Sequence, residues 1–152
     1  MKIYVDADSC PQAAREIVLR AASRLGIAAV FAANRPIPGV SDRAEMLVCP
    51  AGDGAADNRI ASLAAAGDLA VTRDIPLAAR LVAAGVAVLD DRGRIYTADN
   101  TGERLSLRNF TVSLAENGLE FTRIKSYGKR EVKAFAGSLD RLLVQLMRKT
   151  RT

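Results

Sequence analysis

The sequence contains no histidine, and this absence removes much of the usual catalytic repertoire. Serine–histidine and cysteine–histidine nucleophile pairs are excluded, as are metal sites with imidazole ligands. Only two cysteines occur, Cys10 and Cys49, which are too few for a disulfide scaffold and lack the spacing of zinc ligands. Any chemistry must therefore depend on carboxylates, hydroxyls, thiols, lysine and arginine.

Long apolar segments are also lacking. The longest uncharged apolar stretch, residues 25–33, has about half the length that a membrane helix needs. The first residues pass directly into a strand-like pattern, without the basic leader and apolar segment of a signal peptide. We expect a soluble cytoplasmic protein that does not bind membranes. The 152 residues, 49% hydrophobic and 26% charged, fit one globular domain over residues 1–152.

Short apolar segments alternate with amphipathic ones as far as residue 90. The predicted strands cover residues 3–6, 27–33, 44–50, 69–72 and 86–89, with a short hairpin-like piece at 94–97. Helices are predicted over 11–25, before Gly67, over 74–85, within 101–117, and along an apolar stripe of Phe135, Leu139, Leu142, Leu143 and Leu146. This alternation predicts an α/β fold, with a mostly parallel β-sheet sandwiched between helices. The helical, basic segment 101–152 is expected to pack on it.

Positive charge is concentrated in the C-terminal third. Residues 1–100 carry eleven Lys and Arg against twelve Asp and Glu, whereas residues 101–152 carry eleven against five. The stretch "FTRIKSYGKREVK" mixes five bases with two aromatic rings, so it could neutralise phosphates and stack on bases. A solvated segment that only maintains solubility is an equal alternative. The candidate substrate-binding residues here are Arg123, Lys125, Lys129 and Arg130.

Aspartates follow three of the predicted strands. Asp6 and Asp8 lie at the end of the first strand. Asp53 follows the third, and Asp57 stands one helical turn later. Asp74 follows the fourth. Because the carboxyl ends of parallel strands meet at one edge of a sheet, we expect these acids to converge there.

Two explanations compete for this arrangement. Single acids can cap helices or pair with an arginine such as Arg35, Arg59 or Arg73. Capping explains neither the second aspartate in "DAD" nor Asp57, which lies on the predicted apolar stripe of its helix with Ile60, Ala64 and Gly67. Like charges gathered at one edge repel unless a cation or a proton neutralises them. We therefore favour a carboxylate metal site, and oxygen ligands without histidine point to Mg2+ or Mn2+.

Four ordered motifs carry a family resemblance: "VDADSCP", "GDGAADNRI", "DLAVTRDIPLA" and "GVAVLDDRGRIYT". Together they resemble the uncharacterised bacterial YaiI/YqxD family, which is grouped with the PIN-like nuclease superfamily. The resemblance covers nearly the whole chain. It implies a PIN-like fold with Asp6, Asp57 and Asp74 at the acidic positions of that superfamily, and Asp8 and Asp53 as additional family acids.

The leading hypothesis is a metal-dependent phosphodiesterase that acts on RNA or single-stranded nucleic acid. Its catalytic residues would be Asp6, Asp8, Asp57 and Asp74, and the same four with Asp53 would hold Mg2+ or Mn2+. Asn34 and Thr72, each at a strand end, could hydrogen-bond a phosphate or the attacking water.

Two other functions stay open. One is a PIN-like domain that binds RNA without cutting it, which would bind without metal and tolerate loss of the acids. The other is a haloacid-dehalogenase-like phosphatase with Asp6 as nucleophile, Asp8 as general acid/base, and Asp90 and Asp91 holding magnesium. Such an enzyme also needs a lysine before the later acidic pair, and no lysine occurs between Lys2 and Lys125.

Overall fold

A computed structural model of the chain describes residues 1–51, 54–102 and 126–150. The strands are β1 (Lys2–Asp6), β2 (Ala28–Ala33), β3 (Glu45–Val48), β4 (Leu69–Val71), β5 (Ala87–Leu89) and β6 (Ile95–Tyr96). The helices are α1 (Gln12–Leu25), α2 (Ala55–Leu63), α3 (Ile75–Ala83) and α4 (Lys129–Thr150), and residues 98–102 are also helical. No helix in these ranges has the length and apolar character needed to cross a membrane.

One six-stranded sheet connects these elements, in the order β3-β2-β1-β4-β5-β6. All neighbouring strands pair in parallel except β6, which pairs antiparallel with β5. The predicted α/β class and mostly parallel sheet are therefore confirmed. The chain leaves β1 toward one side of the sheet, for β2 and β3, and later returns to its other side with β4 and β5. This reversal places a crevice at the carboxyl ends of β1 and β4, where ligands bind in doubly wound folds.

Each face of the sheet has its own apolar core. The helices α1 and α4 cover one face, where Phe31, Phe135 and Leu143 are completely buried. The helices α2 and α3 cover the other, around Ile60 and Leu81. The predicted stripe of α4 is confirmed, because all five of its residues are buried.

Two predicted boundaries were wrong. Helix α2 ends at Leu63, and Ala64 already has extended backbone, so Ala64 and Gly67 do not continue the helix. The run of alanines before Gly67 suggested helix, but a tight turn follows, in which Asp68 accepts a hydrogen bond from the Ala65 N–H at 2.9 Å. Strand β3 is also shorter than predicted, since only residues 45–48 pair with β2. The helix predicted within 101–117 lies almost entirely outside the described residues.

The turn between β5 and β6 is in close contact with α4. Gly93 adopts a φ of +84°, and a Cβ at this position would lie 2.5 Å from the carbonyl oxygen of Ala134. The Ser138 hydroxyl donates a hydrogen bond of 2.7 Å to the Gly93 carbonyl. Only glycine allows both the backbone conformation and this close approach.

Replacing Gly93 with alanine should therefore destabilise the protein by about 2–4 kcal/mol, because overpacking adds to the strain of a positive φ. Gly39→Ala is the matched control, since Gly39 has a φ of +81° with open space around it. Chemical denaturation of both variants separates the cost of the positive φ, which both share, from the cost of the contact with α4, which only Gly93→Ala has. Equal losses of unfolding free energy would show that the contact with α4 contributes nothing.

Candidate functional site

The crevice between β1 and β4 contains three acids from three different elements. Asp6 is the last residue of β1, Asp57 lies in the first turn of α2, and Asp74 precedes α3. Asp6 is buried, while Asp57 and Asp74 are partly buried. The structure thus brings together the three positions that the family resemblance singled out.

A single hydroxyl connects Asp6 with Asp74. Thr72 Oγ1 donates to Asp6 Oδ2 at 3.1 Å and accepts from the Asp74 backbone N–H at 3.0 Å. Asp74 Oδ1 in turn accepts from the Leu77 N–H at 2.9 Å, so Asp74 caps α3 as the sequence predicted. Thr72 is itself buried, and its hydroxyl orients the acids.

Asp57 and Asp74 form an acid pair. The pKa of Asp57 is raised from 3.8 to about 7, and burial is the largest cause, followed by a hydrogen bond with the Asp74 carboxyl. The negative charges of Asp6 and Asp74 contribute to the same rise, and the guanidinium of Arg80 opposes it. Two adjacent carboxylates cannot both ionise without cost, so Asp57 keeps its proton to a higher pH than an isolated aspartate does.

Asp6 experiences the same crowding. Burial is the main cause that raises its pKa, and the charges of Asp74 and Asp8 act in the same direction. The hydrogen bond from Thr72 lowers the pKa and opposes part of this effect. Among the described residues, no arginine or lysine forms an ion pair with any of these acids. The cluster therefore retains an excess of negative charge.

Asp8 stands at the mouth of the site. It is exposed, and both of its carboxylate oxygens accept from the Asn34 backbone N–H, at 3.1 and 2.9 Å. Helix α1 begins after Pro11 without a side-chain cap, so Asp8 does not serve as its N-cap. Asp6, Asp8, Asn34 and Asp57 line one cleft of about 170 Å3, together with residues 54–56. Asn34 lines this cleft, and its backbone N–H donates to Asp8; its contact with a phosphate or water stays a prediction.

The ligand chemistry of the cluster suits Mg2+ or Mn2+, because every donor is a carboxylate or hydroxyl oxygen. The acids do not form a preorganised metal site in this structure. Within residues 1–51, 54–102 and 126–150, no group of three His, Cys, Asp or Glu side chains is placed to hold a metal ion. A cation would have to displace the proton that Asp57 holds, and the predicted ligand Asp53 lies outside the described residues.

Two of the four predicted basic residues lie within the described residues. Lys129 and Arg130 are exposed at the start of α4, and Arg123 and Lys125 lie outside the described residues. Arg130 lines a cleft of about 410 Å3 with Arg92 and Arg94 from the β5–β6 turn. These last two arginines were missed by the sequence analysis. They lie within residues 1–100, where positive and negative charges nearly balance, so composition did not single them out.

Asp90 and Asp91, the acidic pair of the phosphatase alternative, have other contacts in this structure. Asp90 Oδ1 accepts from the backbone N–H groups of Arg92 and Arg94, at 2.9 and 2.8 Å, and so closes the β5–β6 turn. Asp91 is buried beside Arg73, whose Nε lies 2.9 Å from Oδ2. Asp90 is thus part of the turn and Asp91 pairs with Arg73, which does not favour magnesium binding by the two acids.

Fold and site together define a doubly wound α/β protein with an aspartate cluster at its topological switch point. The family model described as "Uncharacterized BCR, YaiI/YqxD family" matches residues 4–145. A "UPF0178 protein" of Treponema pallidum (strain Nichols) is 49% identical over 152 residues, covering 99% of this chain and 86% of its own length. Another, from Myxococcus xanthus (strain DK1622), is 47% identical over 150 residues, covering 97% of each. The chain therefore belongs to the YaiI/YqxD family. No solved structure matches it significantly.

The proton held by Asp57 predicts how stability depends on pH. The pKa of Asp57 is raised in the folded protein, so the folded state binds this proton more tightly than the unfolded chain does. The free energy of unfolding should therefore fall as pH rises from about 4 to about 7 and remain lower above this range. Asp57→Asn removes this dependence. In EDTA, the variant should melt higher than the natural protein at pH 8, with a smaller difference at pH 5.

Asp42→Asn is the control, because Asp42 is an exposed acid away from the cluster. Thermal melts across this pH range, without divalent metal, make the comparison. If Tm changes with pH in the same way for Asp57→Asn and the natural protein, the pKa of Asp57 is not raised in the folded state.

Proposed function

We propose that the protein is a divalent-metal-dependent phosphodiesterase of the PIN-like kind that cleaves RNA or other single-stranded nucleic acid. The acid pair of Asp57 and Asp74 beside the buried Asp6 is the observation that carries this proposal. Crowded carboxylates without a basic partner reduce stability, and such arrangements are typical of sites that act on a ligand or cation. A cytoplasmic location is part of the proposal, since the substrate is RNA.

Each acid would have a defined role. Asp6, Asp57 and Asp74 would hold Mg2+ or Mn2+, with Asp8 and Asp53 completing the ligand set. The bound ion would lower the pKa of water and stabilise the charge that develops on the phosphate. Asp8, fixed by the Asn34 N–H at the mouth of the cleft, would orient the attacking water. Thr72 would keep Asp6 and Asp74 in register through its two hydrogen bonds.

The basic cleft supports a polyanionic substrate. Arg92, Arg94 and Arg130 line a space of about 410 Å3 on the turn that follows β5, together with Glu131 and Ala134. Arg92 forms an ion pair with Glu131 at 3.5 Å, so the exposed cations of this cleft are Arg94 and Arg130. Strand β5 pairs with β4, and Asp74 of the acid cluster follows the end of β4. A strand of nucleic acid could therefore contact these arginines while one of its phosphates enters the acidic crevice.

The second candidate function is RNA binding without cleavage. One observation favours it: no three acids in the described ranges are arranged as a metal site. In this case no divalent metal would take the place of the proton on Asp57, and the basic cleft alone would determine affinity. The two functions differ in whether divalent metal and intact acids are required.

Loss of one acid should abolish cleavage and preserve binding. Asp6→Asn and Asp74→Asn retain the size of each side chain, and asparagine is also a good helix cap at position 74. We expect Mn2+-stimulated cleavage of labelled single-stranded RNA to fall at least a hundredfold, on the order of one lost metal ligand or oxyanion donor. RNA affinity in EDTA should change little. Cleavage at the natural rate by either variant would remove these residues from the catalytic role, and Asp42→Asn is the control.

RNA binding should also weaken steeply with salt, because bound arginines release counterions from the phosphates. Arg94→Gln and Arg130→Gln should each reduce the slope of log Kd against log salt by about 1. Lys2→Gln is the matched control, since Lys2 begins β1 at the opposite edge of the sheet. Fluorescence anisotropy in EDTA measures these slopes. A Kd that is the same at low and moderate salt would exclude the basic cleft as the binding surface.

A further inference from the structure

Arg73 lies between two residues of the site. It follows Thr72, whose hydroxyl binds Asp6, and precedes Asp74. Its side chain enters a narrow crevice that Asp6, Thr72 and Asp91 also line, and that is too tight to contain a water molecule. The guanidinium is thus the only cationic group among the described residues that line this crevice.

A buried carboxylate anchors this guanidinium. The side chain of Asp91 is only 2% exposed, and Arg73 Nε lies 2.9 Å from its Oδ2. The orientation is not that of a hydrogen bond, and neither oxygen of Asp91 has a hydrogen-bond partner among the described residues. A buried carboxylate with so little compensation is costly, which indicates that its position serves Arg73 rather than stability.

The remaining part of Arg73 faces outward. Its side chain is 45% exposed, and Asp91 is its only ion-pair partner in the described part of the chain. The contact with Asp91 is made by Nε, and the Nη groups donate no hydrogen bond to any of the described residues. Two parallel N–H groups of this kind match two oxygens of a phosphate.

We infer that Arg73, anchored by Asp91, is a binding site for one phosphodiester group of a single-stranded nucleic acid at the edge of the acid cluster. This inference rests on the proposed function and adds a positive contact to a site whose other charged groups are negative. A phosphate at Arg73 would lie beside Asp6, where the reaction would occur. Asp91 is a positioning residue in this account, because it acts only through Arg73.

The test identifies which phosphate charge of a bound RNA contacts Arg73. The probe is a single-stranded RNA octamer in which each linkage is replaced in turn by a neutral methylphosphonate, and binding is measured in EDTA to prevent cleavage. For the natural protein, one replacement should weaken binding about tenfold more than the others, as expected for a charge-assisted hydrogen bond. In Arg73→Gln that replacement should have no special effect, while neutralisation of the other linkages should cost as much as before.

Further variants separate positioning from folding. Asp91→Asn should weaken binding at the same linkage, but it should add nothing in an Arg73→Gln background. Arg73→Lys should restore only part of the effect, because an ammonium cannot contact two oxygens at once. Arg43→Gln is the matched control, since Arg43 forms an exposed ion pair with Glu16 at 2.8 Å and lines none of the clefts described above. Thermal melts confirm that each variant is folded.

The outcomes distinguish this site from the proposed activity. If the natural protein has the special linkage but cleaves no RNA with any divalent metal, the phosphate site is supported and the nuclease proposal fails. If cleavage depends on Asp57 and Asp74 but Arg73→Gln has the same linkage profile as the natural protein, the phosphate site is overturned and the nuclease proposal remains. Failure of the natural protein to bind the octamer at all would overturn both.

Discussion

The hydroxyl of Thr72 determines the arrangement of the candidate site. It has one proton to donate and lone pairs to accept, and it uses both, toward the Asp6 carboxylate and the Asp74 backbone N–H. This connects the end of β1 with the start of α3 and brings two acids into one crevice. Asp57 on α2 lies beside Asp74, and this proximity is one of the causes that raise the pKa of Asp57. A valine at position 72 would match the shape of threonine and remove both hydrogen bonds.

The rest of the fold supports this crowding. Parallel strands bring their carboxyl ends to the same edge, and apolar cores on both faces of the sheet hold that edge in place. Bringing Asp57 close to Asp74 and burying Asp91 both cost folding free energy. The packing of α1 to α4 against the sheet must therefore supply the stability that offsets these costs.

Periodicity predicted the elements that follow simple rules. The apolar stripe of α4, the end of α1 at Leu25 and the Asp74 cap of α3 all depend on local spacing and backbone preference. The convergence of the acids was predictable because a parallel sheet leaves few alternatives. The contacts of Asp90 and the partner of Asp91 were not, because they depend on the turn after β5 and on Arg73, 18 residues earlier in the chain. Composition likewise assigned the positive surface to the C-terminal third and did not identify Arg92 and Arg94.

The candidate binding arginines of this protein therefore lie in two different environments. Arg94 is exposed in the basic cleft, where it can follow a flexible polyanion and where salt screens it strongly. Arg73 is held by a buried carboxylate, so it would lose less conformational freedom on binding an anion. A surface that only attracts nucleic acid needs arginines of the first kind. An anchored arginine beside an acid cluster suits a site that must place one particular phosphate, and this distinction favours cleavage over binding alone.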